Sequence, residues 1–198
     1  MVRPMIKPLF LFVGKSGSGK TTVAEWLESE YGYKSVQSYT TRPKRYENET
    51  GHIFISDEEF DKLENLAAYT EYNGFRYCTT SDQLDEHDVY VIDVDGVETL
   101  LNYYTNIERP IHVIYFDSAV RTRIDRMIDR GDSDAKIVSR LYNDEDYDWS
   151  DRLYEIVFSG THGHRVSILS IDANKSKEEV QQEVLNIMEA YDDNCSRL

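Results

Sequence analysis

The chain has 198 residues, 40% hydrophobic and 30% charged, which suits one folded domain with a buried core rather than a disordered segment. Its 37 acidic residues against 22 basic ones give a formal net charge of −15, which argues against nucleic acid and anionic membranes as partners. Two cysteines predict no disulfide framework, and the apolar run at residues 9–13 is too short for a membrane span, so we expect a cytoplasmic protein.

Short apolar runs along the chain predict the buried strands of a parallel sheet, because unbroken valine, isoleucine and phenylalanine runs suit strands covered on both faces. These runs are residues 9–13, 89–93, 111–116, 155–159 and 166–171. Helical spacing is found at residues 21–32, 95–106, 118–131 and 176–191. Ser118 and Ser176 are predicted N-caps, and Gly32 and Gly131 are predicted helix ends. Repeated strand–helix units predict an α/β doubly wound sheet.

Two segments interrupt this rhythm. Residues 35–85 contain a predicted helix at 56–66 and a predicted hairpin around Asn73-Gly74, and we interpret this segment as an inserted lobe. Residues 131–153 read as a polar helix too charged for the core, which is either a mobile lid or a plain solvated helix. The core of the single domain would then comprise residues 1–34, 86–130 and 154–198.

The run GKSGSGKT, from Gly14 to Thr21, directly follows the first predicted strand and directly precedes the first predicted helix, as a phosphate-binding loop does. Glycines let successive main-chain N–H groups point at phosphate oxygens, while Lys20 can reach the β- and γ-phosphates and Thr21 can ligate Mg²⁺. The motif predicts a P-loop that binds ATP or GTP through Gly14, Lys15, Ser16, Gly17, Ser18, Gly19, Lys20, Thr21 and Thr22. Such loops also serve motors, transporters and switches, so other residues must define the acceptor.

A second cluster, SYTTRPKR at residues 38–45, sets two arginines three residues apart beside hydroxyl groups, a composition suited to binding a phosphate. Taken with the P-loop before it, and with the runs FIS, YTEY, GFRYCTT, VIDVDG and RIDRMIDRGDSDAKIVSRL after it, this cluster resembles the guanylate kinase family. The resemblance covers roughly residues 8–141. It implies an ATP-dependent kinase with Mg²⁺ as cofactor that phosphorylates GMP or dGMP, with an acceptor-binding lobe and a helical lid.

The resemblance also implies roles for individual residues. Guanine would be contacted by Ser38, Glu71 and Thr79. The phosphate of GMP would be held by Arg42, Arg45 and Tyr77. Mg²⁺ would be held by Thr21 and Asp93, with Asp95 beside the acceptor. The transferring group would be neutralised by the catalytic cations Lys20, Arg126, Arg130 and Arg140.

Departures from the family pattern keep other functions open. His52 or Phe54 stands where a phosphate-binding tyrosine is expected, Cys78 replaces the glycine of a Tyr-Gly-Thr turn, and Ser159-Gly160 replaces an Asn-Asp pair. One alternative is therefore a kinase of the same fold that acts on another small phosphate, such as a different nucleoside monophosphate or a ribosyl bisphosphate. A non-catalytic domain that binds protein partners is a further alternative, against which the complete P-loop argues.

Overall fold

The structure, a computed structural model, describes residues 6–44, 47, 49–72, 74–144, 148–159 and 162–195, without the side chains of 193–195. The strands are β1 (Leu9–Val13), β2 (Ser38–Thr40), β3 (His52–Phe54), β4 (Leu66–Tyr72), β5 (Phe75–Thr80), β6 (Val89–Val91), β7 (Ile111–Asp117) and β8 (Val166–Asp172). The helices are α1 (Lys20–Tyr31), α2 (Asp57–Phe60), α3 (Ser81–Glu86), α4 (Val94–Tyr103), α5 (Val120–Asp129), α6 (Asp134–Asp144), α7 (Trp149–Phe158) and α8 (Lys177–Cys195).

The larger sheet is parallel, with the strand order β6-β1-β7-β8. Strand β1 lies inside it and is buried on both faces, because alternate side chains of a strand point to opposite sides of the sheet. Leu9, Leu11 and Val13 pack with residues of α4 and α7, whereas Phe10 and Phe12 pack with residues of α1 and α8. Helices on both faces confirm the predicted α/β doubly wound sheet.

The predicted strand at residues 155–159 is wrong, because residues 155–158 belong to α7. Trp149, Leu153, Ile156 and Val157 recur at helical spacing and are buried on the side of α7 that faces the core. A short apolar run cannot be distinguished by periodicity from the buried side of a helix, which explains the error. Helix α7 also crosses the predicted boundary between lid and core at residues 153 and 154.

The smaller sheet has the order β3-β2-β5-β4 and lies within the predicted inserted lobe. The hairpin of β4 and β5 is confirmed, with Gly74 at a φ of 75°, while Asn73 lies outside the described residues. The helix predicted at residues 56–66 is only α2, four residues long. Ser56 and Glu59 form the capping box that begins α2, but Leu66 already pairs with β5, so strand pairing ends the helical pattern early.

Helix ends follow the predicted signals except at the start of α5, and Gly131, at a φ of 85°, ends α5 as predicted. Gly32 ends α1 with a φ of 74°, and Ser176 begins α8 in a reciprocal pair of hydrogen bonds with Glu179. The N-cap position of α5 is Ala119 rather than Ser118, so that prediction is wrong. The side chain of Asn174 supplies the acceptor instead, since its Oδ1 receives the main-chain N–H of Ala119 at 2.8 Å. In the described part of the chain, none of the helices has the length and apolar character that crossing a bilayer requires.

Candidate functional site

The P-loop connects β1 to α1, as the motif predicts. Gly17 has a φ of 81°, and a Cβ atom there would lie 2.7 Å from the carbonyl oxygen of Arg123, so only glycine allows the loop to pack directly on α5. Gly19 precedes α1 at a φ of 98° and has no side chain with which to cap the helix. The first main-chain N–H groups of a helix have no partner within it, so an anion can accept hydrogen bonds from them.

Lys20 lies at the base of the loop, and its ammonium group is held by loop atoms. Its Nζ donates to the carbonyl oxygens of Gly14 and Lys15 and, at 3.1 Å, to Oγ of Ser18. Burial lowers the pKa of Lys20 to about 8, an effect that the negative charge of Asp144 partly opposes. The lysine is therefore a pre-oriented cation at the point where the motif predicts phosphate.

A cavity of about 440 Å³ is lined by residues of both sheets and of α6. From the predicted site it brings together Gly14, Ser16, Lys20, Ser38, Glu71, Tyr77, Asp93, Asp95 and Arg140. These residues come from distant parts of the chain, yet they share one pocket with the P-loop. A pocket of this size can enclose part of a nucleotide next to the phosphates of another.

Two carboxylates stand where β6 runs into α4. Asp93 is the N-cap residue of α4, and its Oδ1 accepts the main-chain N–H of Gly96 at 2.6 Å. Burial raises the pKa of Asp93, while the bond from Gly96 opposes that rise. Asp95 is exposed in the first turn of α4. Both carboxylates line the cavity at the carboxyl edge of the parallel sheet, where ligands of such folds bind.

Two of the predicted acceptor residues lie away from the cavity, and a third is not described by the structure. Arg42 is buried in a bidentate ion pair with Glu49, and it is not among the described residues that line the cavity. Thr79 is fully buried and its Oγ1 donates to Oε1 of Gln83 at 2.9 Å, so its hydroxyl group is engaged away from the cavity. The third, Arg45, lies outside the described residues.

The lid arginines occupy three different environments. Arg126 contacts the P-loop, where its Nη1 donates to the carbonyl oxygen of Ser18 at 3.1 Å. Arg130 is exposed and pairs with Asp132, which lies within 3.6 Å of Arg140 as well. Among these arginines, Arg140 is the one that lines the cavity. Thr21 and Thr22 are exposed in the first turn of α1.

Several residues that sequence reasoning missed complete the pocket wall. The hydroxyl of Tyr69 donates to Oε1 of Glu71, and Nδ2 of Asn143 donates to the hydroxyl of Tyr72 at 3.1 Å. Asp144 lies on the P-loop, where its Oδ2 accepts the main-chain N–H of Ser16 at 2.8 Å. A sequence signal exists for Tyr69, since residues i and i+2 of a strand share a face, but nothing local marks Asp144.

The donor groups present fit Mg²⁺ that is delivered with a nucleotide. Such an ion is usually held by one or two carboxylates together with phosphate oxygens and waters. Asp93 and Asp95 supply carboxylates in the cavity, and Thr21 supplies a hydroxyl group in the first turn of α1. The described residues contain no cluster of three or more histidine, cysteine, aspartate or glutamate residues suited to a metal ion.

Known proteins similar to this chain are guanylate kinases. No protein-family model matches. The guanylate kinase of Fusobacterium nucleatum is 28% identical over 149 residues, which cover 68% of this chain and 78% of that protein. The guanylate kinase of Chlamydia trachomatis is 27% identical over 139 residues, which cover 64% of this chain and 65% of that protein.

A solved structure of a known protein confirms the predicted fold of this chain. The crystal structure of guanylate kinase from Anaplasma phagocytophilum matches with a TM-score of 0.55 and 18% identity, and the match covers 94% of this chain and 86% of that one. The predicted resemblance to the guanylate kinase family is therefore confirmed. These relatives also support the predicted class of enzyme, an ATP-dependent phosphotransferase.

Proposed function

We propose that this protein is a guanylate kinase that transfers the γ-phosphoryl group of ATP to GMP or dGMP, giving ADP and the nucleoside diphosphate. One observation carries the proposal: Lys20 of the P-loop shares a cavity with Ser38, Glu71 and Tyr77 of the smaller sheet. Phosphoryl transfer needs mainly in-line positioning and neutralisation of charge, and a shared cavity is the arrangement that supplies both.

In this proposal the P-loop binds ATP through its main-chain N–H groups, and Lys20 leaves its loop partners for the β- and γ-phosphates. Mg²⁺, held by Thr21 and Asp93, would neutralise phosphate charge when it is bound. Arg140, which reaches the cavity from α6, would neutralise the transferring group from the opposite side. Arg126 and Arg130 would act at the edges of the phosphate site, Arg126 from its contact with the P-loop.

For the acceptor, we propose that Glu71 accepts hydrogen bonds from the guanine edge while Ser38 contacts the base. Tyr69 would then act as a positioning residue, since its hydroxyl group fixes one oxygen of Glu71. Tyr77 would contact the phosphate of GMP, with Asp95 beside it. We keep the roles that the family resemblance implies for Arg42 and Arg45, at the phosphate of GMP, and for Thr79, at guanine. Arg42 would fill its role by exchanging Glu49 for the phosphate, or by donating from its Nε, which is buried without a hydrogen-bond partner among the described residues.

We further propose the division of the single domain into a core (1–34, 86–130 and 154–198), an acceptor-binding lobe (35–85) and a lid (131–153). The first turns of α7, residues 149–153, pack with the core, so the moving part of the lid would end before α7. The assignment of residues 35–85 to a lobe of their own is supported by the smaller sheet, which is formed entirely by strands of this segment. Helix α6, which carries Arg140 and contacts both the P-loop and Tyr72, supports a lid that closes over the cavity. Closure would exclude water that could otherwise hydrolyse ATP.

The residues expected around the acceptor phosphate favour a second class of acceptor. Arg42 is neutralised by Glu49, and His52 lines the cavity with its Nδ1 2.9 Å from Oγ of Ser38. A pocket built in this way could select another small phosphate, such as a different nucleoside monophosphate or a ribosyl bisphosphate. The alternative keeps the donor site and changes only the acceptor.

An assay of ADP release across GMP, dGMP, AMP, UMP, CMP and dTMP, with Mg-ATP as donor, tests the function. We expect release with GMP or dGMP, and loss of release in the Lys20→Met variant with the fold retained. If GMP were inert while another phosphate reacted, the Glu71 assignment would fall and the second acceptor class would stand. Failure of the folded protein to bind Mg-ATP in calorimetry would overturn the kinase assignment.

A further inference from the structure

A buried ion pair joins α5 and α6 directly against the P-loop. Nη1 of Arg123 lies 3.1 Å from Oδ2 of Asp144, and the two side chains are 2% and 5% exposed. The same Oδ2 accepts the main-chain N–H of Ser16 at 2.8 Å, while Oδ1 lies 3.3 Å from Oγ of Ser16. One carboxylate oxygen is therefore shared by a P-loop N–H group and a guanidinium group.

The carboxylate of Asp144 is buried against the P-loop, with 5% of its side chain exposed. Removing a carboxylate from water costs free energy unless it is paired with a cation and accepts hydrogen bonds. Arg123 and the N–H of Ser16 offset this cost, so the contact with the P-loop is what stabilises the charge in this position.

The main-chain segments that carry these two donors pack directly on each other, without help from Asp144. Gly17 packs so closely on α5 that the carbonyl oxygen of Arg123 would be 2.7 Å from a Cβ there, which fixes the loop against the helix. The Nε of Arg123 is buried without a hydrogen-bond partner among the described residues. A pair of adjacent donors, one from the main chain and one cationic, is an arrangement that suits a phosphate oxygen.

We propose that Ser16 N–H and Arg123 form a phosphate-oxygen subsite of the donor site, which the carboxylate of Asp144 fills from within the chain and a nucleotide phosphate takes over. In the unliganded protein, Oδ2 of Asp144 occupies the position that a phosphate oxygen would take between the two donors. This inference rests on the proposed function in that the P-loop must bind a nucleoside triphosphate. It adds Arg123, to which the family resemblance assigns no role, as a phosphate-binding residue.

The exchange would couple ATP binding to the position of α6. Arg140 lies one helical turn before Asp144 and lines the cavity, and Asn143 bonds to Tyr72 of the smaller sheet. When a phosphate replaces Asp144, α6 loses its contact with the P-loop and can reposition Arg140 over the bound phosphates. Asp144 thus competes with the donor for the loop.

Calorimetry with ATP, with and without Mg²⁺, tests the inference on the Asp144→Asn variant, which keeps the shape and removes the charge. We expect ATP binding to tighten by about tenfold or more, because the competing anion is lost and Arg123 gains the phosphate as its counter-ion. Thermal unfolding should show a larger ATP-induced rise in Tm than in the wild type, even where unliganded Asp144→Asn is less stable.

Two further variants make the result specific. Asp125→Asn removes the same charge from the exposed pair of Arg121 and Asp125 on α5, whose side chains are 87% and 55% exposed, and should leave ATP affinity unchanged. The double variant Arg123→Met with Asp144→Asn should not bind ATP more tightly than the wild type, since the subsite then lacks its cation. Equal gains in Asp125→Asn and Asp144→Asn would assign the effect to net charge and overturn the inference.

Unchanged or weaker ATP binding in folded Asp144→Asn would also overturn it, while leaving the proposed function intact as long as the wild type binds ATP. If the wild type bound no ATP and Asp144→Asn did, no phosphate would replace Asp144 in this protein, and the inference would fall with the kinase assignment. If neither bound ATP, the inference and the kinase assignment would both fall.

Discussion

Arg42 and Glu49 form a bidentate ion pair in which both side chains are buried. Nη2 of Arg42 lies 2.8 Å from Oε1 of Glu49, Nη1 lies 3.2 Å from Oε2, and the side chains are 8% and 5% exposed. The guanidinium group also lies over the ring of Phe54, 5.2 Å from its centroid. The arginine that the family resemblance assigns to the acceptor phosphate is thus engaged within the lobe itself.

The first prediction concerns the stability of this pair. Arg42→Met should lower the free energy of unfolding by about 3 kcal/mol, because it removes the bidentate counter-charge of the buried Glu49 carboxylate. Arg42→Met combined with Glu49→Leu should recover most of that loss, since both buried charges are then gone. Urea denaturation of the single and double variants measures the coupling. Purely additive effects would contradict a structural role for the pair.

A second prediction separates the lid arginines. Arg140 lines the cavity, whereas Arg130 is exposed beside Asp132. Arg140→Gln should therefore lower kcat by about a hundredfold, while Arg130→Gln should lower it by less than about tenfold. Steady-state ADP release with the preferred acceptor gives both values. Equal losses in the two variants would place Arg130 at the reacting phosphates when the lid is closed.

A third prediction concerns the packing of the P-loop. Gly17→Ala should destabilise the protein by about 2 kcal/mol or more and weaken ATP binding, because the new methyl group meets the main chain of α5 at a positive φ. Gly32→Ala is the matched control. Its φ of 74° is similar, but no atom lies within 4 Å of the added Cβ, so only the backbone cost of about 1 kcal/mol remains and ATP binding is unchanged. Thermal unfolding and calorimetry compare the two variants.

A fourth prediction concerns acid sensitivity. His112 stacks on Tyr191 with ring centroids 3.7 Å apart, and burial lowers its pKa from 6.5 to about 4. The unfolded chain therefore binds the proton first, so the stability due to neutral His112 is present above pH 6.5 and is lost as the pH falls towards 4. His112→Gln should remove this part of the pH dependence. Unfolding free energies of wild type and variant, measured from pH 7 to pH 4, should converge, and parallel curves would contradict the assignment.

Much of the donor half of the site could be predicted from the sequence, because its parts are consecutive. Gly14 to Gly19 connect β1 to α1, and Lys20 and Thr21 begin α1, so the whole motif is one consecutive segment that the sequence shows directly. The same locality explains why Gly32 and Ser176 mark helix ends correctly. Local hydrogen bonds and backbone conformation depend on neighbours in the chain.

The tertiary structure alone decided which side chains reach the cavity. Asp144 meets Ser16 across 128 positions, and no spacing in the sequence relates them. The side chain of Thr79 bonds to Gln83 and that of Arg42 to Glu49, although the family resemblance assigns both residues to the acceptor. Residues 155–158 are helical, and the sequence did not reveal this because a buried run of four residues fits the period of a strand and that of a helix equally well. The local sequence pattern determines the helices, the strands and the motifs that they carry, whereas the packing between these elements determines which charged side chains come into contact.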